Sequence, residues 1–174
     1  MFVENVRKSH LDMASTHKKV IVRKMNRDSL PGYVGSNFIV EDKLELLNPA
    51  GNVVLIELAE IKAVHFVREF GDTVIPARKT FTTRPRAEGL WVRLRFRDNE
   101  IMEGLMANDL NQASPAGYLV APPDTRSNTQ RIFVPRAALS EMKVLAVIGA
   151  QQRRRKPTAA DDRQREMFGE EHLV

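Results

Sequence analysis

The chain has 174 residues, of which 43% are apolar and 28% charged, enough for one compact domain or two small ones. It contains no cysteine, which excludes disulfides, thiol chemistry and thiolate metal sites, and no apolar run approaches the roughly 18 residues of a membrane helix. The 27 basic and 22 acidic residues leave a net charge of +5, which permits contact with nucleic acid without requiring it.

The first nineteen residues scatter charge and have no apolar h-region, so no signal peptide is expected and cytoplasmic residence is. Residues 4–17 can form a helix, with Val6, Leu11 and Met13 loosely spaced along it. It is expected to pack over one open end of the β units beyond it. From Lys18 the pattern turns to short β-type runs. KVIVRKM alternates, with Val20 and Val22 on one face, and turn character comes next around Pro31-Gly32. GYVGSNFIV and KLELL come after it, Leu44 and Leu46 alternating, before the turn Asn48-Pro49-Ala50-Gly51. VVLIEL and IKAVHFV complete five runs, joined at Leu58-Ala59-Glu60 by too few residues for a hairpin loop. Alternation sets His65 opposite Val64 and Phe66, as a surface-facing strand residue.

Residues 71–89 carry two prolines and mixed charge and read as a linker. Arg78, Lys79, Arg84 and Arg86, with Phe81 between them, make a basic stretch with one aromatic. Such a stretch fits a single-stranded nucleic acid or a solvated connection.

The pattern then returns. Arg95 to Gly104 repeats the steps of Arg23 to Gly32, with Val92 and Leu94 standing on Val20 and Val22. Tyr118-Leu119-Val120 falls on Leu44-Glu45-Leu46. RIFVPRAALSEMKVL aligns with VVLIELAEIKAVHFV, so Arg131 stands on Val53 and Met142 on Val64. The chain is therefore expected to be mainly β: two tandem, five-stranded small barrels with glycines (Gly32, Gly35, Gly104) at the bends. An N-terminal helix and first unit occupy 1–70, the linker 71–89, the second unit 90–149, and a charged, mostly disordered tail 150–174.

The runs VIVRKMNRDSLPGYVGSNF and VLIELAEIKAVHFV resemble the two motifs of the Sm-like fold, over residues 18–70 and, more faintly, 90–148. The resemblance implies bent five-stranded barrels. In RNA-binding members an aspartate and an asparagine follow the bent strand. Asn37 and Asp42 lie nearest those places, and Asn108 and Asp109 in the second copy, while Leu58-Ala59-Glu60 lacks the Arg-Gly pair of such members. EIKAVHFVREFGD (60–72) and PPDTRSNTQRIFVPRAAL (122–139) are also similar to an uncharacterised bacterial family with this tandem layout. That family brings no activity with it.

Chemistry-bearing constellations are few. His10, His17, His65 and His172 have no metal-ligand spacing, and no nucleophile elbow or phosphate loop occurs. Arg23 with Arg27, and Arg93 with Arg97, share the RxxxR spacing of a cyclic-dinucleotide clamp. No DxSxxG follows either pair, and alternation favours a solvated face. No catalytic residue, metal or cofactor is expected. The polar segment Asp124–Arg131 reads as a turn whose Asn and Ser bond their own backbone. Its Arg126 and Arg131 could otherwise grip phosphate.

In the tail, Gln164, Met167 and Phe168 fall at i, i+3 and i+4 and share a face if that segment turns helical. This QREMF resembles the short motif by which bacterial proteins dock on the DNA sliding clamp. It implies Gln164 at the pocket rim, with Met167 and Phe168 inside. The leading expectation is a non-catalytic adaptor acting through protein contacts, docking on the sliding clamp by its tail. The alternatives are RNA or single-stranded DNA binding by the barrels, and a small-molecule sensor between them.

Overall fold

The structure, a computed structural model, describes residues 17–71, 78–109, 114–124 and 126–149. The expected helix over 4–17 lies outside them except for His17, which is irregular, and so does the tail 150–174. Among the described residues there is no α-helix. The chain forms eleven antiparallel strands: β1 Lys18–Lys24, β2 Ser29–Val34, β3 Ile39–Val40, β4 Lys43–Leu47, β5 Val53–Glu57, β6 Ile61–Val67, β7 Gly89–Phe96, β8 Ile101–Met106, β9 Gly117–Ala121, β10 Thr129–Pro135 and β11 Leu139–Ile148. Short 3₁₀ turns, Leu58–Glu60 and Arg136–Ala138, link β5 to β6 and β10 to β11. These two turns are the tight connections that leave no room for a hairpin loop.

The second half repeats the first in detail. Lys24 N–H donates to Asp28 O (2.8 Å) and Arg27 N–H to Lys24 O, and Phe96 N–H donates to Glu100 O (2.9 Å) and Asn99 N–H to Phe96 O. Arg27 and Asn99, at matching positions, both hold positive φ, 76° and 65°. Each turn is closed by a side chain at its centre: Asn26 Oδ1 accepts from Asp28 N–H, and Asp98 Oδ1 from Glu100 N–H. Each is tied to its own 3₁₀ turn, Met25 N–H to Glu60 O and Arg97 N–H to Ala138 O. Gly32 and Gly104 answer one need. A Cβ on Gly32 would stand 2.7 Å from Leu47 O, and one on Gly104 2.9 Å from Val120 Cβ, closer than packed atoms allow.

The strands do not close into two separate barrels. They hydrogen-bond as one open sheet in the order β11-β7-β8-β9-β10-β6-β1-β2-β4, with β3 and β5 both on β4. In each half the 3₁₀ turn turns the chain away, so β5 does not pair with β6, nor β10 with β11. Instead β10 of the second half pairs with β6 of the first, setting Ile132 on His65 and Phe133 on Val64.

Two apolar clusters lie along this sheet, and each takes a residue from the other half. Val20, Leu44, Ile61 and Val64 share the first with Phe133. Val92, Leu94, Phe96 and Ile132 share the second with Ala63. β6 is therefore buried on both faces, Val64 toward one cluster and Ala63 toward the other. This overturns the surface placement of His65, which is only 3% exposed.

Candidate binding groove

Where β10 meets β6, the two halves leave a groove of about 690 Å³. Its first wall is Lys18 at the start of β1 and the bend Gly35–Ile39 that separates β2 from β3. Its second is Ser114, Gly117, Leu119, Gln130 and Arg131. Phe66 and Phe133 lie between them. Phe38 meets both rings edge to face, at 5.8 Å from Phe66 and 5.4 Å from Phe133, so the aromatic floor is fixed by its own packing. Lys18 and Arg131 are exposed, and no carboxylate is among the described lining residues. The groove is thus apolar at its floor, rich in amide and hydroxyl groups, and positive at its rim.

Arg131 reaches this rim because its neighbours are committed elsewhere. Asn128 Oδ1 accepts from the backbone N–H of Arg68 (3.1 Å) and Glu69 (3.0 Å), and its Nδ2 donates to Glu69 O. Ser127 Oγ donates to Asp124 O and Thr129 O. These bonds pin the loop to the end of β6 and start β10 in register. Ser127 bonds backbone of its own turn, as expected, whereas Asn128 bonds the backbone of Arg68 and Glu69 instead of its own, and Arg131, at the end of the segment, lines the groove.

A second hollow of about 420 Å³ is lined by Arg23, Lys24, Met25, Arg27, Lys62, Asp98, Asn99 and Glu100. Here the charges satisfy one another. Buried Lys62 donates to Asp98 and to Glu100 (2.6 Å) and lies 5.0 Å above the Phe96 ring, and Lys79 reaches Glu100 at 3.2 Å. Burial raises the pKa of Asp98 and Glu100, but the hydrogen bond and charge of Lys62, joined by backbone N–H groups at Asp98 and by Lys79 at Glu100, together hold both carboxyls below their ordinary range. Arg23 and Arg27 thus border a hollow that already holds its own anions.

Nearby, Glu103 is 3% exposed yet fully engaged. It accepts from Arg93 Nε (3.0 Å) and Nη2 (2.8 Å), Trp91 Nε1 and Phe81 N–H. Burial pushes its pKa up, and these donors together bring it below the usual glutamate value. With Glu103 N–H donating to Lys79 O at 2.7 Å, Lys79 and Phe81 are fastened to β8.

Of the residues expected to meet nucleic acid, only Arg131 lines the groove. Arg78, Lys79, Arg84, Arg86 and Arg126 are exposed and lie outside its lining. Gln164, Met167 and Phe168 lie outside the described residues. Lys18 and Gln130 carry no signal in the sequence, because the pairing of β10 with β6 is what brings them together.

A family model described as a family of unknown function (DUF6982) matches residues 16–146. The chain belongs to that family. No curated protein and no solved structure matches it. In this DUF6982 chain the matched span holds every residue of the groove, whereas Gln164, Met167 and Phe168 fall beyond it. No described helix is long and apolar enough to cross a membrane.

Proposed function

We propose that this DUF6982 protein is a non-catalytic cytoplasmic binding module, two Sm-like units in tandem, whose seam groove holds a single strand of nucleic acid. The observation that carries this role is the groove's lining: Lys18 and Arg131 at the rim, no carboxylate among its described residues, and Asn37, Gln130 and Phe66 within. Cations neutralise phosphates. Amides read the edges of unstacked bases, and aromatic rings offer a surface for their faces. The volume matches a site of one or two nucleotides.

The test is fluorescence anisotropy with a labelled 12-mer of oligo(U) and of oligo(dT) across a salt series. With two phosphates neutralised, the log–log slope should be about −1.4. Lys18→Glu with Arg131→Glu should weaken binding more than tenfold. Arg84→Glu with Arg86→Glu, outside the groove, should change it little. Equal affinity of the groove variant and the parent defeats the proposal, as does affinity indifferent to salt.

A second reading concerns the tail, and the spacing of Gln164, Met167 and Phe168 supports it. Here the protein is an adaptor whose tail docks on the DNA sliding clamp, Met167 and Phe168 entering a pocket and Gln164 bonding at its edge. A peptide of residues 157–174 should bind purified clamp, and Met167→Ala with Phe168→Ala should abolish this. Indistinguishable peptides remove the idea.

A further inference from the structure

We propose that the hollow between the two equivalent turns, 24–28 of the first half and 96–100 of the second, binds a phosphate dianion, free or as the monoester of a small molecule, gripped by Arg23 and Arg27.

The lysines and carboxylates of this hollow neutralise one another and leave the two arginines over. Lys62 stands between Asp98 and Glu100, Lys79 adds its charge to Glu100, and Lys24 is paired with Glu60 at 2.8 Å. Asp28, next to Arg27 in the chain, accepts from Asn26 Nδ2 instead. Arg23 and Arg27 both line the hollow and have no ion pair or side-chain hydrogen bond among the described residues. Two guanidinium groups on one space carry two positive charges, and each offers paired N–H donors to the oxygens of a tetrahedral dianion. The volume of about 420 Å³ is that of a small-ligand pocket. A nucleic-acid backbone, with one charge per phosphate, matches the arginine pair less well.

Three residues of the first half cost stability here, and the second half avoids each cost. Arg27 holds a φ of 76°, a conformation that asparagine adopts more readily than arginine, and asparagine stands at the matching position, Asn99. Lys62 and His65 are buried, whereas the matching Ser140 and Lys143 are exposed. Burying a charge or an unpartnered polar atom is unfavourable, and His65 Nδ1 has no hydrogen-bond partner among the described residues. His65 lines a cavity of about 20 Å³ that shares Arg23, Lys62 and Glu100 with the hollow, and so lies directly behind it. The three costs therefore fall on one place, with Arg27 at its mouth and His65 at its back. The hollow shares no lining residue with the seam groove, so the two sites can be tested apart.

The test is isothermal titration calorimetry of the full chain at about pH 8, where a phosphate monoester is a dianion. The probes are inorganic phosphate, glycerol phosphate and the monoanionic diester dimethyl phosphate. The first two should saturate a single site, and the diester should bind at least about tenfold more weakly. Tighter binding of glycerol phosphate assigns an ester as the source, and tighter binding of inorganic phosphate assigns the free ion. Arg27→Asn puts the second half's own turn residue on the same backbone. It should fold like the parent by circular dichroism and yet bind phosphate about tenfold more weakly. Adding Arg23→Gln should abolish binding, while Lys18→Glu with Arg131→Glu, in the seam groove, should leave it unchanged. The inference is overturned if neither dianion gives saturable binding, if dimethyl phosphate binds as tightly as phosphate, or if folded Arg27→Asn binds phosphate like the parent.

Discussion

His65 makes stability depend on pH in a window where few other groups act. It sits in the middle of β6, opposite Ile21 on one side and Ile132 on the other, and its buried Nδ1 has no hydrogen-bond partner among the described residues. Burial lowers its pKa to about 4, Arg23 adds to the lowering, and Glu100 opposes it. In the unfolded chain the imidazole titrates near its ordinary value of 6.5. Between those two values the unfolded state binds more protons than the folded one, so stability is complete above about pH 6.5 and falls as the pH drops toward 4. Each tenfold change in proton affinity corresponds to about 1.36 kcal/mol, which sets a ceiling on the order of 3 kcal/mol. The held-down carboxyls Asp98, Glu100 and Glu103 act in the same direction at lower pH, with stability lost as they protonate below the ordinary carboxyl range. The interval from about pH 6.5 to about 4.5 therefore isolates the histidine. Urea unfolding at half-unit steps would measure the slope, with His65→Leu as the comparison. The variant should be flat where the parent falls, and near or above the parent at neutral pH, since it removes a buried atom that has no partner. Parallel slopes in the two proteins would refute the reasoning.

Gly104→Ala and Gly32→Ala each push a methyl group into a neighbouring strand and should cost about 1–3 kcal/mol, read as a lower urea midpoint at unchanged m-value. Glu103→Gln keeps the shape but removes the charge that gathers Arg93, Trp91 and Phe81. It should cost about 2 kcal/mol, because hydrogen bonds to a charged group are the stronger kind, and should speed tryptic cleavage at Arg78 and Lys79.

The duplication is legible because it is written in local alternation and in turns. Val20 and Val22 recur as Val92 and Leu94, and the aligned pairs Arg131 on Val53 and Met142 on Val64 hold in three dimensions. The joining of the halves is not legible, since no short-range pattern reports that β10 leaves its own half to pair with β6. That one gap has two effects. Local pattern suggests separate barrels where a single sheet runs through, and an alternation rule that assumes one wet face sets His65 in solvent. Buried Lys62 escapes for the same reason, as its partners Asp98 and Glu100 come from the other half. The groove is half visible: Arg131 stands out in a polar loop, while Lys18, Asn37 and Gln130 converge only once the seam exists.

Because β6 is a wall common to both apolar clusters, the halves should melt as one. Residues 1–70 expressed alone would turn Ala63, Lys62 and His65 toward water, and residues 90–149 alone would strip the cover from Ile132 and Phe133. Tandem repetition here yields a single cooperative unit in place of two independent ones. A lesion in either repeat should register as a common loss of both, in one transition and at one midpoint.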